Sequence, residues 1–179
     1  MGHYRAKDAV SIPGLLSLAR VPLGILFVFV VGQPLVALSV LVVSGITDVL
    51  DGWYARKFNQ ATATGAALDP VTDKFFVGAV VLSLVLSARL PPLAIVLLSM
   101  REIGEVPLVL YLALSRKARR ARAEQPKANL PGKAATALQF ACIALAIVRA
   151  PILDALLWTT AAAGALAAVA YWARALKQR

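Results

Sequence analysis

The sequence has few charged residues for its length. Asp, Glu, Lys and Arg make up 16% of the 179 residues, whereas about a quarter of a soluble domain is charged. Hydrophobic residues account for 60%, and the mean hydropathy is +0.75. This composition excludes an ordinary soluble globular protein and predicts an integral membrane protein. The length is typical of a single domain, which would cover residues 1–179.

Cysteine and histidine are nearly absent. Cys142 is the only cysteine, so an internal disulfide is excluded. It lies in the apolar run FACIALAIV, where we expect it to pack rather than to react. The one histidine, His3, lies near the N-terminus. Because these two residue types do not cluster, a zinc site is not expected.

Acidic residues are scarce as well, with 9 of them against 19 Lys and Arg, which gives a net charge of +10. The basic residues occupy short segments between apolar runs and do not form one face of a soluble fold. We therefore expect them to flank membrane helices, and we expect no nucleic-acid partner.

Six apolar segments follow one another, each near the roughly 20 residues that cross a bilayer as a helix. Only helices fit, because backbone polar groups in lipid must be satisfied within the segment. The sequence thus predicts an all-α, polytopic membrane protein with six transmembrane helices. The segments are approximately residues 12–31, 34–55, 68–88, 91–115, 132–148 and 152–173. The first can be one span, or an interfacial helix capped by Ser11 and joined to a shorter span.

The connections between these segments alternate in charge. Residues 55–65 and 115–129 are polar and basic, as are both terminal segments. Residues 32–34, 88–92 and 149–151 form short, nearly uncharged connections. By the positive-inside rule, both termini and both basic connections are expected to be cytoplasmic.

Four aspartates lie within residues 48–73, at the edges of the second and third segments. Asp48 and Asp51 are spaced i,i+3 and Asp69 and Asp73 are spaced i,i+4, so each pair shares a helix face. Because the connection is short, we expect the two helices to be antiparallel neighbours whose carboxylates converge at one depth. Such all-oxygen ligands favour Mg²⁺, Mn²⁺ or Ca²⁺.

Without a partner this cluster would be unfavourable in lipid, by roughly 2.5–3.5 kcal/mol for each carboxylate. A cation must therefore lie among the aspartates. Besides a bound metal ion, two alternatives stay open at this point. The carboxylates could line an ion or proton pathway, or they could form structural ion pairs with Arg20, Lys74 or Arg101.

The residues around the aspartates are typical of phosphate binding. Gly52 follows Asp51 directly, Gly65 precedes Asp69 by four residues, and glycine lets the backbone approach a ligand closely. Arg56 lies one turn beyond Gly52, and arginine binds phosphate in a bidentate manner. The combination indicates a diphosphate group held by divalent ions.

The pattern D-x2-D-G-x2-A-R-x8-G-x3-D-x3-D, from Asp48 to Asp73, resembles the signature of the CDP-alcohol phosphotransferases. All eight of its fixed positions are present. The segments SIPGLLSLARVPL, LDPVTDK, MREIGE and LPGKAATALQ further resemble the phosphatidylglycerophosphate synthase branch. The resemblance implies a six-helix membrane enzyme that forms a homodimer, expected in a bacterial inner membrane with its active site at the cytoplasmic face. Such an enzyme transfers a phosphatidyl group from CDP-diacylglycerol to an alcohol and releases CMP.

Roles for individual residues follow from the same resemblance. Asp48, Asp51 and Asp69 would hold one or two Mg²⁺ or Mn²⁺ ions. Asp73 would contact a second ion and act as the general base. The residues expected to contact the CDP-linked lipid are Gly52, Ala55, Arg56, Thr62 and Gly65 within the signature and Ser11, Ile12, Pro13 and Gly14 before it.

The alcohol acceptor is less well defined by the sequence. We expect sn-glycerol 3-phosphate, whose phosphate needs a basic pocket. The candidate residues for this pocket are Arg101, Arg116, Lys117 and Lys133. Lys133 could instead extend to the membrane surface as an anchor. Inositol phosphate, serine and phosphatidylglycerol stay open as acceptors, and a carboxylate-lined ion transporter is the alternative of another class.

Overall fold

The computed structural model describes residues 12–58, 63–114 and 130–177, and this part of the chain is helical, without strands. The described helices are α1 (Ile12–Leu18), α2 (Arg20–Val30), α3 (Pro34–Lys57), α4 (Ala63–Leu86), α5 (Leu93–Leu98), α6 (Met100–Leu114), α7 (Leu130–Ile147) and α8 (Leu153–Lys177). The chain divides into two compact units. Met1–Leu90 contains α1 to α4, and Pro91–Arg179 contains α5 to α8.

The helices match the predicted apolar segments, with two kinds of difference. Helix α4 begins at Ala63, five residues before the predicted segment, and α8 continues to Lys177. Hydropathy detects only the apolar part of a helix, so polar turns at the ends are missed. The first and fourth segments are each divided into two helices.

The first division, between α1 and α2 at Ala19, has a cause that is visible in the sequence. Pro22 has no N–H to donate to the carbonyl of Leu18, and its ring crowds that carbonyl. The backbone at Ala19 is still right-handed, with φ −60° and ψ −21°. The first segment is therefore a short helix joined to a longer one.

The second division, at Ser99 between α5 and α6, involves a polar contact from another helix. The buried side chain of Gln139 on α7 donates a hydrogen bond of 3.1 Å from Nε2 to the carbonyl of Leu98. The carbonyl at the end of α5 thus has a partner outside its own helix. Periodicity alone does not reveal such a contact.

Each unit has its own apolar core. In the first unit, α2 packs along α4, and α1 packs against α3 and α4. The side chains of Phe27, Phe76 and Leu84 are completely buried there. In the second unit, α8 packs against α5, α6 and α7, with Ile143 and Cys142 buried. The buried position of the cysteine confirms its predicted packing role.

Large apolar side chains also cover the outside of the helices. Leu35 is 81% exposed, and Phe29 and Leu86 are each 78% exposed. Among the described residues, Pro34–Tyr54 and Leu153–Ala173 are long and apolar enough to cross a membrane, and Gly14–Val30 and Gly132–Ile147 form shorter apolar helices. So much exposed apolar surface is unusual for a protein surrounded by water.

Helix α4 ends in a turn that requires a left-handed residue, and that residue is an alanine. Ala88 has φ 50°, its N–H bonds to the carbonyl of Val85 at 3.0 Å, and the N–H of Arg89 bonds to the carbonyl of Leu84 at 2.8 Å. These are the two hydrogen bonds of a Schellman motif, which favours glycine at this position. An L-residue with a side chain is strained by about 1 kcal/mol there.

We therefore expect Ala88→Gly to stabilise the protein by about 0.5–1 kcal/mol. The matched control is Ala162→Gly, at an exposed position inside α8. This change should destabilise the protein by about 1 kcal/mol, because glycine is a poor helix former. Thermal unfolding of the purified protein in detergent measures both effects, and equal shifts of the same sign would contradict the prediction.

Candidate active site

Helices α3 and α4 bring three of the four signature aspartates together. Asp48 and Asp51 lie one turn apart near the C-terminal end of α3, and Asp69 lies in the second turn of α4. Each offers a carboxylate oxygen, and these oxygens all lie within 4.8 Å of one another. The prediction that carboxylates of the two helices converge is confirmed for these three residues.

The guanidinium of Arg20, at the start of α2, lies among the three carboxylates. Its Nη2 is 2.7 Å from Asp48 Oδ1 and 2.6 Å from Asp51 Oδ2, and its Nη1 is 2.7 Å from Asp69 Oδ1. Arg20 is completely buried, whereas Asp48 and Asp69 are partly exposed. Of the three ion-pair partners that the sequence left open, the structure places Arg20 in this role.

Ser17 on α1 adds a neutral donor to the same group. Its Oγ lies 3.1 Å from Asp51 Oδ2 and 3.4 Å from Asp69 Oδ1. A hydroxyl has one proton, so it donates to one of these oxygens at a time. Ser17 is buried, so the carboxylates contact two buried residues spaced i,i+3, a serine at the end of α1 and an arginine at the start of α2.

The three carboxylates fit a divalent cation by chemistry and by charge. Ligand oxygens lie at about 2.0–2.1 Å from Mg²⁺ and about 2.3–2.6 Å from Ca²⁺, so two ligands of one ion are at most about 4.2 Å apart for Mg²⁺ and about 5.2 Å apart for Ca²⁺. The observed limit of 4.8 Å is within the range of the larger ion, and a smaller ion would draw the carboxylates slightly closer together. Three carboxylates and one guanidinium carry a formal charge of −3 + 1 = −2, which one divalent ion would balance.

Asp73, expected to contact a second ion, does not belong to this group of three. It lies one turn beyond Asp69 on α4, which separates the two residues by about 6 Å along the helix axis. Its side chain is half-buried. The structure therefore brings three carboxylates together and leaves the fourth at a neighbouring position on the same helix.

The other predicted lipid-donor residues belong to the helices around this group. Gly52, Ala55 and Arg56 continue α3 after Asp51, Gly65 lies in the first turn of α4, and Ile12, Pro13 and a buried Gly14 begin α1. Ser11 and Thr62 lie outside the described residues, as do the acceptor candidates Arg116 and Lys117.

The two remaining acceptor candidates lie in the second unit. Arg101 on α6 is engaged by its own neighbours. Its Nη2 is 2.9 Å from Glu102 Oε1, its Nε is 3.5 Å from Glu105 Oε1, and its Nη1 donates to Thr136 Oγ1 at 2.5 Å. Lys133 is exposed on the first turn of α7. Arg101 thus ties α6 to α7, and Lys133 is the more accessible cation of the two.

The sequence pointed to Arg20 only as one of three possible ion-pair partners of the aspartates, and it did not point to Ser17. A signal was available in principle, since Arg20 is a single charge within an apolar segment, and such a charge normally has a partner. The spacing of Ser17 and Arg20 places both on one helical face. The sequence offered several cations for the aspartates, however, and gave no distance that would select one.

A family model described as CDP-alcohol phosphatidyltransferase matches residues 10–172, which is nearly the whole chain. The chain belongs to the CDP-alcohol phosphatidyltransferase family. Members of this family are embedded in membranes and use a divalent metal. The resemblance inferred from the eight-position signature is thereby confirmed.

Several curated proteins are similar to the chain. It is 36% identical over 106 residues to the rat (Rattus norvegicus) cardiolipin synthase (CMP-forming), a match that covers 57% of this chain and 35% of the relative. It is 34% identical over 109 residues to the CDP-diacylglycerol--glycerol-3-phosphate 3-phosphatidyltransferase of Rickettsia bellii, a match that covers 58% of this chain and 52% of the relative. The cardiolipin synthase (CMP-forming) of Streptomyces coelicolor is 31% identical over 142 residues, a match that covers 75% of this chain and 63% of the relative. The chain therefore spans about one third to two thirds of the length of these relatives.

Proposed function

We propose that this protein is an enzyme that transfers the phosphatidyl group of CDP-diacylglycerol to an alcohol and releases CMP. The observation that carries the proposal is the convergence of Asp48, Asp51 and Asp69 within the family signature. Carboxylates at this separation suit a hard divalent ion, and a diphosphate is a ligand that such ions bind well. The function of an ion carrier has no comparable support.

In this proposal Asp48, Asp51 and Asp69 hold Mg²⁺ or Mn²⁺. When bound, the ion neutralises charge on the diphosphate and on the departing CMP. Arg56 is proposed to contact the diphosphate, since arginine is suited to two phosphate oxygens at once. Gly52 and Gly65 would let the backbone approach the nucleotide. Ala55, Thr62 and the stretch 11–14 complete the proposed donor site.

The reaction requires one bond to form and one to break. The acceptor hydroxyl oxygen attacks the phosphorus that carries the diacylglycerol. The bond from that phosphorus to the bridging oxygen breaks, and the bridging oxygen leaves with CMP. Asp73 is proposed to accept the hydroxyl proton as general base. Asp73 lies on α4 one turn beyond Asp69, next to the three-carboxylate group but outside it.

As acceptor we propose sn-glycerol 3-phosphate, with the exposed Lys133 and the basic residues Arg116 and Lys117 as phosphate-binding candidates. Arg101 is the weakest of the original candidates, because two glutamates already neutralise it. Phosphatidylglycerol is the second candidate acceptor. It is favoured by the similarity to proteins named cardiolipin synthase.

We also propose that six segments span the membrane, that both termini are cytoplasmic and that the protein acts as a homodimer in a bacterial inner membrane. The end of α3 supports the placement of the site at the membrane surface. The apolar stretch stops at Tyr54, and Lys57 Nζ then lies 4.4 Å from the ring centroid of the exposed Trp53. Tryptophan and lysine are typical of the membrane–water interface.

The decisive experiment measures CMP release by the purified full-length protein with CDP-diacylglycerol and Mg²⁺ or Mn²⁺. We expect release only when the correct alcohol is added, with sn-glycerol 3-phosphate the best among glycerol 3-phosphate, phosphatidylglycerol, serine and inositol phosphate. Removal of the metal with EDTA should abolish release, and Mg²⁺ or Mn²⁺ should restore it.

The same assay has outcomes that would change the proposal. If turnover is fastest with phosphatidylglycerol, the proposed acceptor is wrong and the proposed transfer reaction stands. Ion flux in liposomes without CMP release from any acceptor would overturn the enzyme function itself. As a control for the metal site, Asp154→Asn, outside the signature in the first turn of α8, should leave CMP release unchanged.

A further inference from the structure

The contacts of Arg20 are distributed in a regular way over the three carboxylates. The guanidinium contacts one oxygen of each carboxylate. These oxygens are Oδ1 of Asp48, Oδ2 of Asp51 and Oδ1 of Asp69. Ser17 contacts the same oxygen of Asp51 and the same oxygen of Asp69. Within the described part of the chain, the other oxygen of each carboxylate has no protein partner among the hydrogen bonds and ion pairs.

A second observation concerns burial. Arg20 has no exposed surface, whereas the side chains of Asp48 and Asp69 are 52% and 46% exposed. The arginine therefore approaches the carboxylates from the protein interior, while two of the three carboxylates also face outward. The exposed surface of Asp48 and Asp69 makes these two carboxylates accessible to a ligand, whereas the guanidinium is not accessible.

From these two observations we infer that Arg20, assisted by Ser17, is a positioning residue for the metal site. It holds one oxygen of each aspartate and so orients the second oxygen toward the bound ion. Hydrogen-bond partners that orient the ligands of a metal are a general feature of such sites, and their loss lowers metal affinity or activity about 10- to 100-fold. The inference rests on the proposed function, because it assumes that the three aspartates bind metal.

The shape of arginine is essential to this role. Its planar fork presents donors in fixed directions, and two of its nitrogens here reach three carboxylates on two helices. Lysine carries the same charge at a single point on a flexible chain. Arg20→Lys therefore separates the contribution of charge from the contribution of geometry, because it retains the positive charge and removes the planar guanidinium.

The test is Mn²⁺ binding to purified full-length protein in detergent, followed by electron paramagnetic resonance of free Mn²⁺, together with CMP release on the same samples. We expect Arg20→Lys to weaken Mn²⁺ binding about tenfold and to lower kcat by about 10- to 100-fold. Lys74→Gln, which removes an exposed charge on α4, is the matched control and should leave Mn²⁺ binding within about twofold of the wild type, because exposed charges interact weakly.

A second variant keeps the inference testable if Arg20→Lys does not fold. Ser17→Ala leaves the guanidinium in place and removes one donor to the same oxygens. Loss of one such hydrogen bond should weaken Mn²⁺ binding by roughly two- to tenfold. Wild-type Mn²⁺ affinity and turnover in a folded Arg20→Lys, or in Ser17→Ala, would overturn the positioning role.

Failure of the proposed function has a different result. If the wild-type protein itself binds no Mn²⁺ and releases CMP independently of metal, the metal site is wrong, and the inference about Arg20 is overturned with it. If the wild type binds Mn²⁺ and only the variants fail to differ from it, the metal site stands and the positioning role alone is wrong.

Discussion

Asp73→Asn is expected to lower the rate of CMP release by about 10²–10⁴-fold, which is the range that a positioned general base contributes. Asparagine has nearly the same size and shape as aspartate, but it cannot accept the proton of the attacking hydroxyl. Because Asp73 lies outside the group formed by Asp48, Asp51 and Asp69, that group should stay intact in the variant. Binding of CDP-diacylglycerol should therefore remain measurable.

The contrasting variant is Asp51→Asn, which changes the most buried carboxylate of the three. It should lose Mn²⁺ binding together with turnover, because it removes a charged metal ligand and leaves Arg20 with one fewer anion. Mn²⁺ binding, donor binding by equilibrium dialysis and single-turnover CMP release, measured on both variants, separate the two roles. A wild-type rate in Asp73→Asn would exclude this residue as the base, and equal loss of Mn²⁺ binding in both variants would make it a ligand.

The second large effect is expected at the contact between α6 and α8. A Cβ added to Gly104 would come closer than 3.0 Å to Cβ of Ala168, which is buried. The carbonyl of Gly104 also accepts a hydrogen bond of 2.9 Å from Trp172 Nε1. Small residues that let helix backbones approach closely are the usual basis of helix packing in membranes.

Gly104→Ala should therefore destabilise the protein by about 1–3 kcal/mol through overpacking. For a protein of this size we expect the melting temperature to fall by roughly 2–10 °C. Gly78→Ala, at an exposed position of α4 with nothing within 4 Å of the added atom, is the matched control. It should leave the melting temperature unchanged or raise it slightly, since alanine is the better helix former.

A double-mutant cycle tests the cause of this effect. Ala168→Gly removes the atom with which the new Cβ of Gly104→Ala would collide. The loss caused by Gly104→Ala should be smaller by about 1 kcal/mol or more when Ala168→Gly is also present. Strictly additive melting temperatures would show that the contact with Ala168 is not the reason for the loss.

The helical architecture could be predicted from hydropathy, because the apolar segments are long and lipid forces the backbone into helices. The division at Ala19 was also accessible, since Pro22 removes a specific backbone donor. The division at Ser99 was not, because it coincides with a hydrogen bond from Gln139, more than 40 residues away along the chain. Contacts of this kind depend on packing that a local pattern does not contain.

The part of the candidate site that depends on the spacing of the aspartates along the chain could be predicted. The intervals i,i+3 and i,i+4 and the short connection predicted that the four carboxylates of α3 and α4 meet, and three of the four do. Spacing did not determine which cation lies among them, because Arg20, Lys74 and Arg101 were all available. The structure places Arg20 among the aspartates and pairs Arg101 with Glu102 and Glu105 instead.

The burial of Arg20 has a consequence for synthesis of the protein. Chains are made and inserted from the N-terminus, so this guanidinium enters the bilayer before the helices that carry the aspartates. A carboxylate that is inserted alone opposes entry into lipid, by up to roughly 2.5–3.5 kcal/mol at the centre of the bilayer. When these helices follow, a counter-charge for their aspartates is already in place, and assembly of the first unit need not wait for a metal ion.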